Sequence, residues 1–161
     1  MTAPLQFSRT DGIVTIRSPR SGDAAALIAG RDEVFTRFLG PGSDDPRPTA
    51  CIEAGGALVG WVDCDRDDRP WLTEGEANLG YALFPAARDK GLATRAVALL
   101  IHHLALTSAD TGIHTVTALI DPENERSVSV VRRIGFAPAG TVDGQLLFRR
   151  PVHPISYTDG E

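Results

Sequence analysis

One stretch, Tyr81-Ala82-Leu83-Phe84-Pro85-Ala86-Ala87-Arg88-Asp89-Lys90-Gly91-Leu92-Ala93-Thr94, narrows the folds open to this chain more than any other. A strand over 76–84 ends at Pro85, whose missing amide cannot serve a ladder. Gly91 and small residues then open a helix predicted to run to Thr107, with Leu92, Ala96, Leu99, Leu100 and His103 along one face. A strand that feeds a helix through a short glycine-bearing turn leaves several amides unpaired at the helix N-terminus, where the dipole favours a phosphate. Gly91 and Ala93 let a pyrophosphate approach the backbone closely. The stretch lacks both the Gly-Lys-Ser/Thr ending of a nucleoside-triphosphate loop and the three spaced glycines of a dinucleotide fingerprint. A nucleotide-binding protein would need ATP or NAD to compete for the 88–94 helix start.

The remaining elements fall around this unit. Ile13 to Arg17 reads as a strand, and Ser21 is the expected N-cap of a helix from Ala24 to Ala29, with Asp23 in its first turn. Residues 31–39 carry apolar groups at helical spacing, and 40–48 is a loop. Cys51 to Glu53 and Ala57 to Asp63 form a hairpin about Gly55-Gly56, and simple register sets Cys51 opposite Gly60. His114 to Ile120 reads as a strand, and Asn124 to Ile134 as a helix with Ser127, Val130, Val131 and Ile134 on one stripe. Phe136 to Val142 and Gln145 to Arg150 make a second hairpin at Asp143-Gly144. The fold class is α+β, a mainly antiparallel sheet with one strand-helix-strand unit embedded at 76–120.

With 161 residues, 42% of them apolar and 23% charged, the chain suits one domain over 1–161, with a core near 13–150 and a tail at 151–161. Sixteen basic against 21 acidic residues give a net charge of −5, which argues against gripping phosphate backbones, so no nucleic acid is expected. The longest apolar run, 96–106, is too short to span a bilayer and holds His102 and His103. Met1 to Thr10 does not read as a secretory leader, so a cytoplasmic protein with no membrane partner is expected. Cys51 and Cys64 lie far from any metal-ligand spacing, so no metal is expected either, and a disulfide between them is not.

Arg88-Asp89-Lys90-Gly91-Leu92-Ala93 resembles the acetyl-CoA signature of the GNAT N-acetyltransferase superfamily, Arg/Gln-x-x-Gly-x-Gly/Ala. Asp121-Pro122-Glu123-Asn124-Glu125-Arg126-Ser127 with Val131-Arg132-Arg133-Ile134-Gly135-Phe136 resembles its Asn-x-x-Ser and Gly-Phe block. The match is closest to the branch of ribosomal-protein N-terminal acetyltransferases, which Ile16 to Asp23 and Leu79-Gly80-Tyr81 also resemble. The resemblance implies the GNAT fold, a mixed and mostly antiparallel sheet of six to seven strands flanked by helices. It implies acetyl-CoA as cosubstrate. The amides of Asp89, Lys90, Gly91, Leu92, Ala93 and Thr94 would hold the pyrophosphate, with Arg88 and Lys90 adding charge. The backbone of Tyr81, Ala82 and Leu83 would pair with the pantetheine arm like an added strand, an amide of Ala82 or Leu83 facing the thioester oxygen. Asn124 would bond the arm from the other side, and Arg133 would reach the adenosine phosphate.

The reaction implied is direct transfer of acetyl to a primary amine of a peptide N-terminus or a small molecule, which requires loss of an amine proton and stabilisation of a thiolate. Many members place a tyrosine near the sulfur, where this chain has Val131. Ser127, one turn earlier, is the nearest hydroxyl. The branch often has a glutamate just before Leu-Gly-Tyr, where this chain has Asn78. Glu76 lies two residues back on the same strand face, and acting through water with Asn78 it is the expected base. The acidic run at 63–76 with Trp71 offers a cationic amine charge and an aromatic face, with a solvated loop as the alternative. The other class of function is a CoA-binding sensor with little turnover, and a homodimer is compatible with either.

Overall fold

The computed structural model describes residues 6–67 and 69–153, so Asp68 and most of the expected tail, 154–161, lie outside the described residues. The strands are β1 (Ser8–Thr10), β2 (Val14–Arg17), β3 (Ala50–Ala54), β4 (Ala57–Asp65), β5 (Glu76–Leu83), β6 (Thr115–Ile120), β7 (Ala137–Val142) and β8 (Gln145–Pro151). They form one eight-stranded sheet in the order β1-β2-β3-β4-β5-β6-β8-β7. Every neighbouring pair is antiparallel except β5 and β6. The α+β class stands, with eight strands in place of six to seven. The extra one is β1, whose Ser-Arg-Thr carries no apolar alternation to announce it. It exists because β2 offers it a partner and Asp11 closes the turn between them, its carboxylate accepting from the Ile13 and Val14 amides at 2.9 and 2.8 Å.

The helices are α1 (Asp23–Ala29), α2 (Glu33–Leu39), α3 (Leu92–Leu106), α4 (Ser108–Thr111) and α5 (Glu125–Arg133). The crossover α3 lies across β1, β2, β4 and β5 and touches α5. Its fully buried Ala96, Val97, Leu100 and Ile101 meet Ile16, Ile52, Val62 and Val116 of the sheet in one core. Each of these sheet residues alternates with a neighbour on the other face, as a period of two requires. Trp61, next to core-facing Val62, shares a small cleft with Leu27 of α1 and Phe35 of α2 at the β4–β5 end.

Two local expectations are corrected. Gly22, not Ser21, takes the N-cap of α1, at φ +91 and without a side-chain cap. The helix starts there because the Asp23 carboxylate turns inward to Arg17. Cys51 faces Trp61 rather than Gly60, because a bulge between Ile52 and Glu53 shifts the β3–β4 register by one. Both cysteines are free thiols, and burial pushes each up to about 12.

One buried charged cluster, Arg17 with Asp23 and Glu53, ties β2 to α1 and β3. Arg17 donates to both oxygens of Asp23 at 2.7 and 3.2 Å and to Glu53 at 2.5 Å, with its side chain 7% exposed. The Arg17 guanidinium, reinforced by the Arg20 amide against the cost of burial, holds the Asp23 carboxyl at about 2. Asp23→Ala leaves that guanidinium buried with one partner fewer and lowers stability by about 3 kcal/mol in denaturant titration. Because the folded pKa lies below the unfolded value, the stabilisation is complete above about pH 4 and is lost as pH falls toward 2. Acid unfolding of the wild type followed by circular dichroism steepens in that window, and in Asp23→Ala this component is missing.

Candidate functional site

β5 and β6 stay paired over only three residues, Glu76 with Thr115, Ala77 with Val116 and Asn78 with Thr117. Beyond that rung β5 continues to Leu83 on β4, while β6 continues to Ile120 on β8. The two strands part, and the inner edge of β5 has no strand beside it. A cavity of about 480 Å³ fills the wedge. Leu79 to Leu83 line one side and Ala118 to Asp121 the other. The start of α3 and the first turns of α5 close the wide end, and Val34, Phe35, Phe38 and Leu39 of α2 form a further wall.

The wide end has the features of an anion site. Gly91 is the N-cap of α3 at φ +76, no side chain caps the helix, and no acidic residue sits in its first turn. The first amides of this 15-residue helix therefore have no partner within it. Asp89 holds φ +62, a conformation that costs a non-glycine residue energy and persists only where its surroundings impose it. Arg126 donates to both Asp89 oxygens at 2.9 and 3.1 Å.

Arg88 does not present a free charge to the cavity. Its guanidinium clasps Asp32, the N-cap of α2, through two bonds of 2.7 and 2.8 Å. The arginine beside it holds the Asp32 carboxyl at about 2. Arg37 of α2 in turn reaches Glu123, just ahead of α5, at 2.5 Å. Three ion pairs thus join the three walls in a ring: α2 to the 88–91 loop, that loop to α5, and α5 back to α2. Lys90 is exposed.

Asn124, Ser127 and Arg133 all line the cavity. Asn124 is also the N-cap of α5, its oxygen accepting from the Ser127 amide at 3.3 Å, a bond that does not use its side-chain nitrogen. Tyr81 lines the cavity as well. Burial pushes its phenol up to about 12, opposed by the Ser127 hydroxyl facing it, yet the two do not reach hydrogen-bonding geometry and the phenol is left without a partner.

Glu76 and Asn78, expected as the base and its partner through water, are not among the lining residues. The Glu76 carboxylate is buried, accepting from the Thr73 amide at 2.9 Å and from Arg149 at 3.1 Å. Burial raises its pKa, but these bonds outweigh burial and hold it below the ordinary glutamate value, which weakens it as a proton acceptor. Asn78 accepts from Thr117 at 3.1 Å, and Trp71 covers Thr117 with an N–H bond of 3.3 Å. Arg69 already sits over the Trp71 ring, at 5.6 Å to the centroid. Sequence reasoning missed Asp32, Arg126 and the α2 wall. The apolar spacing of 34, 35, 38 and 39 is visible in the chain but reads as core, whereas Val34 and Leu39 are 37% and 46% exposed.

The family model of the acetyltransferase (GNAT) domain matches residues 14–137. A GNAT-family acetyltransferase from Bacillus anthracis shares the fold at a TM-score of 0.71 and 17% identity, covering 90% of this chain and 98% of that one. Aminoglycoside acetyltransferase AAC(6')-Ib, solved with coenzyme A and kanamycin, matches at 0.70 and 19%, covering 86% and 94%. Ribosomal-protein-S5-alanine acetyltransferase from Vibrio fischeri matches at 0.68 and 16%, covering 91% and 97%. Among curated proteins compared by sequence, none matches.

The Arg88–Asp32 clasp is a structural tie between α2 and the loop. A double-mutant cycle of Asp32→Asn and Arg88→Met, read by urea denaturation, gives a coupling of about 1 kcal/mol or more. A coupling near zero would show that the two walls are held by packing alone.

Proposed function

We propose, on the premise that this chain belongs to the GNAT acetyltransferase family, that it transfers acetyl from acetyl-CoA directly to a primary amine. The observation that carries this reading is the wedge. An unpaired strand edge leads along a cavity to an uncapped helix N-terminus, which suits a ligand with amides along an arm and phosphates at one end.

In this reading the arm lies against Tyr81, Ala82 and Leu83 as a short added strand, and the Asn124 amide donates to it from α5. The amides from Asp89 to Thr94 receive the pyrophosphate. An amide of Ala82 or Leu83 meets the carbonyl oxygen as charge gathers there. Arg88 braces the loop rather than the phosphates, and Arg133 remains for the nucleotide end.

The amine nitrogen attacks the thioester carbon, the C–S bond breaks, and the electron pair leaves on sulfur. With Glu76 committed to Arg149, the amine sheds its proton to water. This favours acceptors already partly free at neutral pH, such as a peptide α-amine with a pKa near 8, over a lysine side chain near 10.4. The apolar wall of α2 lies beside the cavity and suits an acceptor with an apolar group near its amine. The likeness to proteins named for an aminoglycoside and for a ribosomal-protein alanine supports an amine without choosing between a small molecule and a peptide.

Calorimetric titration with acetyl-CoA, followed by thiol release with peptides and small amines, tests the reading: one-to-one binding and amine-dependent release are expected. Binding without release from any amine would favour the sensor, and no binding would end both. Asn124→Asp keeps the helix cap but loses the amide donor. It weakens CoA binding about tenfold with little change in melting temperature. Glu76→Gln lowers stability yet leaves the pH midpoint of kcat/KM in place, and a lost midpoint would restore Glu76 as the base.

A further inference from the structure

We infer that the acceptor is a peptide whose first residue carries a large apolar side chain, which α2 reads, while the peptide backbone pairs with the free edge of β6. The inference rests on the transferase reading above and names its substrate class.

The wedge between β5 and β6 is a passage through the sheet. α3 packs on the face that Val62 gives to the core, whereas Phe35 of α2 meets Trp61, the next residue of β4 and so on the opposite face. Residues of both helices line the same cavity. A ligand whose phosphates rest on the α3 amides therefore passes its reactive end toward α2, and the acceptor meets it from the α2 side. Gly80 keeps that side open. No positive φ requires a glycine there, and a Cβ would meet only the Trp61 ring, at 4.0 Å.

Two strand edges face the passage. β6 leaves β5 after Thr117 and runs on to Ile120 with β8 on its other side, so the main chain of 118–120 fronts the cavity as that of 79–83 does. The arm takes the β5 edge. The β6 edge is left for a second extended chain, which a peptide provides and a simple amine does not.

The walls select the side chain. α2 turns Val34, Phe38 and Leu39 to the cavity, and Val34 and Leu39 are exposed although apolar. The carboxylates of the surrounding ring are taken, Asp32 by Arg88, Asp89 by Arg126 and Glu123 by Arg37, so a polycation finds no row of free acids. Asp121, just beyond β6, lines the cavity outside these pairs. Its carboxylate accepts from the Glu123 amide at 2.9 Å, and it matches the single charge of an α-ammonium.

The test is thiol release from acetyl-CoA with pentapeptides that differ only in the first residue, alongside leucinamide and phenethylamine. Peptides that begin with Leu or Phe exceed those that begin with Ala, Asp or Arg by about tenfold in kcat/KM, and exceed the two small amines by a similar factor. N-methylation of the amide of peptide residue 2 or residue 3, whichever faces β6, lowers kcat/KM about tenfold. In the double variant Val34→Ser with Leu39→Ser, the Leu-to-Ala ratio falls to about one, with melting temperature and CoA affinity measured as checks on the fold. Equal rates across first residues overturn the inference, and the wild-type panel decides this without any variant. A preference that survives the double variant also overturns it, as do small amines that match the peptides or N-methylation without effect at both positions. Release without preference refutes this inference alone, whereas acetyl-CoA binding without release from any amine removes the transferase reading beneath it.

Discussion

The parting of β5 from β6 is the constraint on which the rest of the molecule turns. A parallel pair needs a crossover, and α3 supplies it, so the strand edge that opens and the helix that begins are joined by a single short loop. Main-chain groups in a sheet interior are normally all paired. Ending the ladder after Asn78 and Thr117 leaves a run of backbone looking for partners and puts it next to uncapped helix amides. The remaining strands hold this gap open. β4 stays bonded to β5 through Leu83, and β8 stays bonded to β6 through Ile120, so neither lip can swing across to close it.

Charge is distributed around that gap with unusual thrift for an acidic chain. Arg88, Arg126 and Arg37 are each met by a carboxylate at the mouth, and the pairs run between walls rather than within them. Two of the three are largely exposed, where ion pairs contribute little to stability. Their main effect is on geometry: they set the spacing of α2, the loop and α5. At the start of α3 the positive ends are backbone amides, whose partial charges do not need a counterion. A carboxylate inside the loop, Asp89, is tolerated because Arg126 neutralises it.

Much of this was legible in the chain, for reasons that can be named. The 81–94 stretch announces strand, turn and helix through Pro85, Gly91 and the apolar period, all local signals, and the elements appear within a residue or two of where they were expected. Asn124 was legible as a cap because an asparagine three residues ahead of Ser127 sets its oxygen against the first free amides of the helix. Glu76 was not, since its fate depends on Arg149, which lies 73 residues away and reaches it only through the β6–β8 pairing. Asp32 was hidden in the same way, its partner Arg88 being 56 residues distant. Tyr81 was read through its backbone alone, because no period or spacing tells which helix a strand side chain will face. β1 went unread because an edge strand of three polar residues takes its structure from its neighbour.

The strand order carries a consequence for how the molecule comes into being. β1 to β5 form a run in which each strand pairs with the one before it in sequence, so that half of the sheet can assemble from nearby segments as the chain is synthesised. The second half cannot, because β8 must slot between β6 and β7 before β6 has its full complement of bonds. A nascent chain therefore carries a folded antiparallel meander well before it has a cleft. The far lip of that cleft is secured only when residues 145–151 are in place, so the cleft is among the last features the protein acquires at birth.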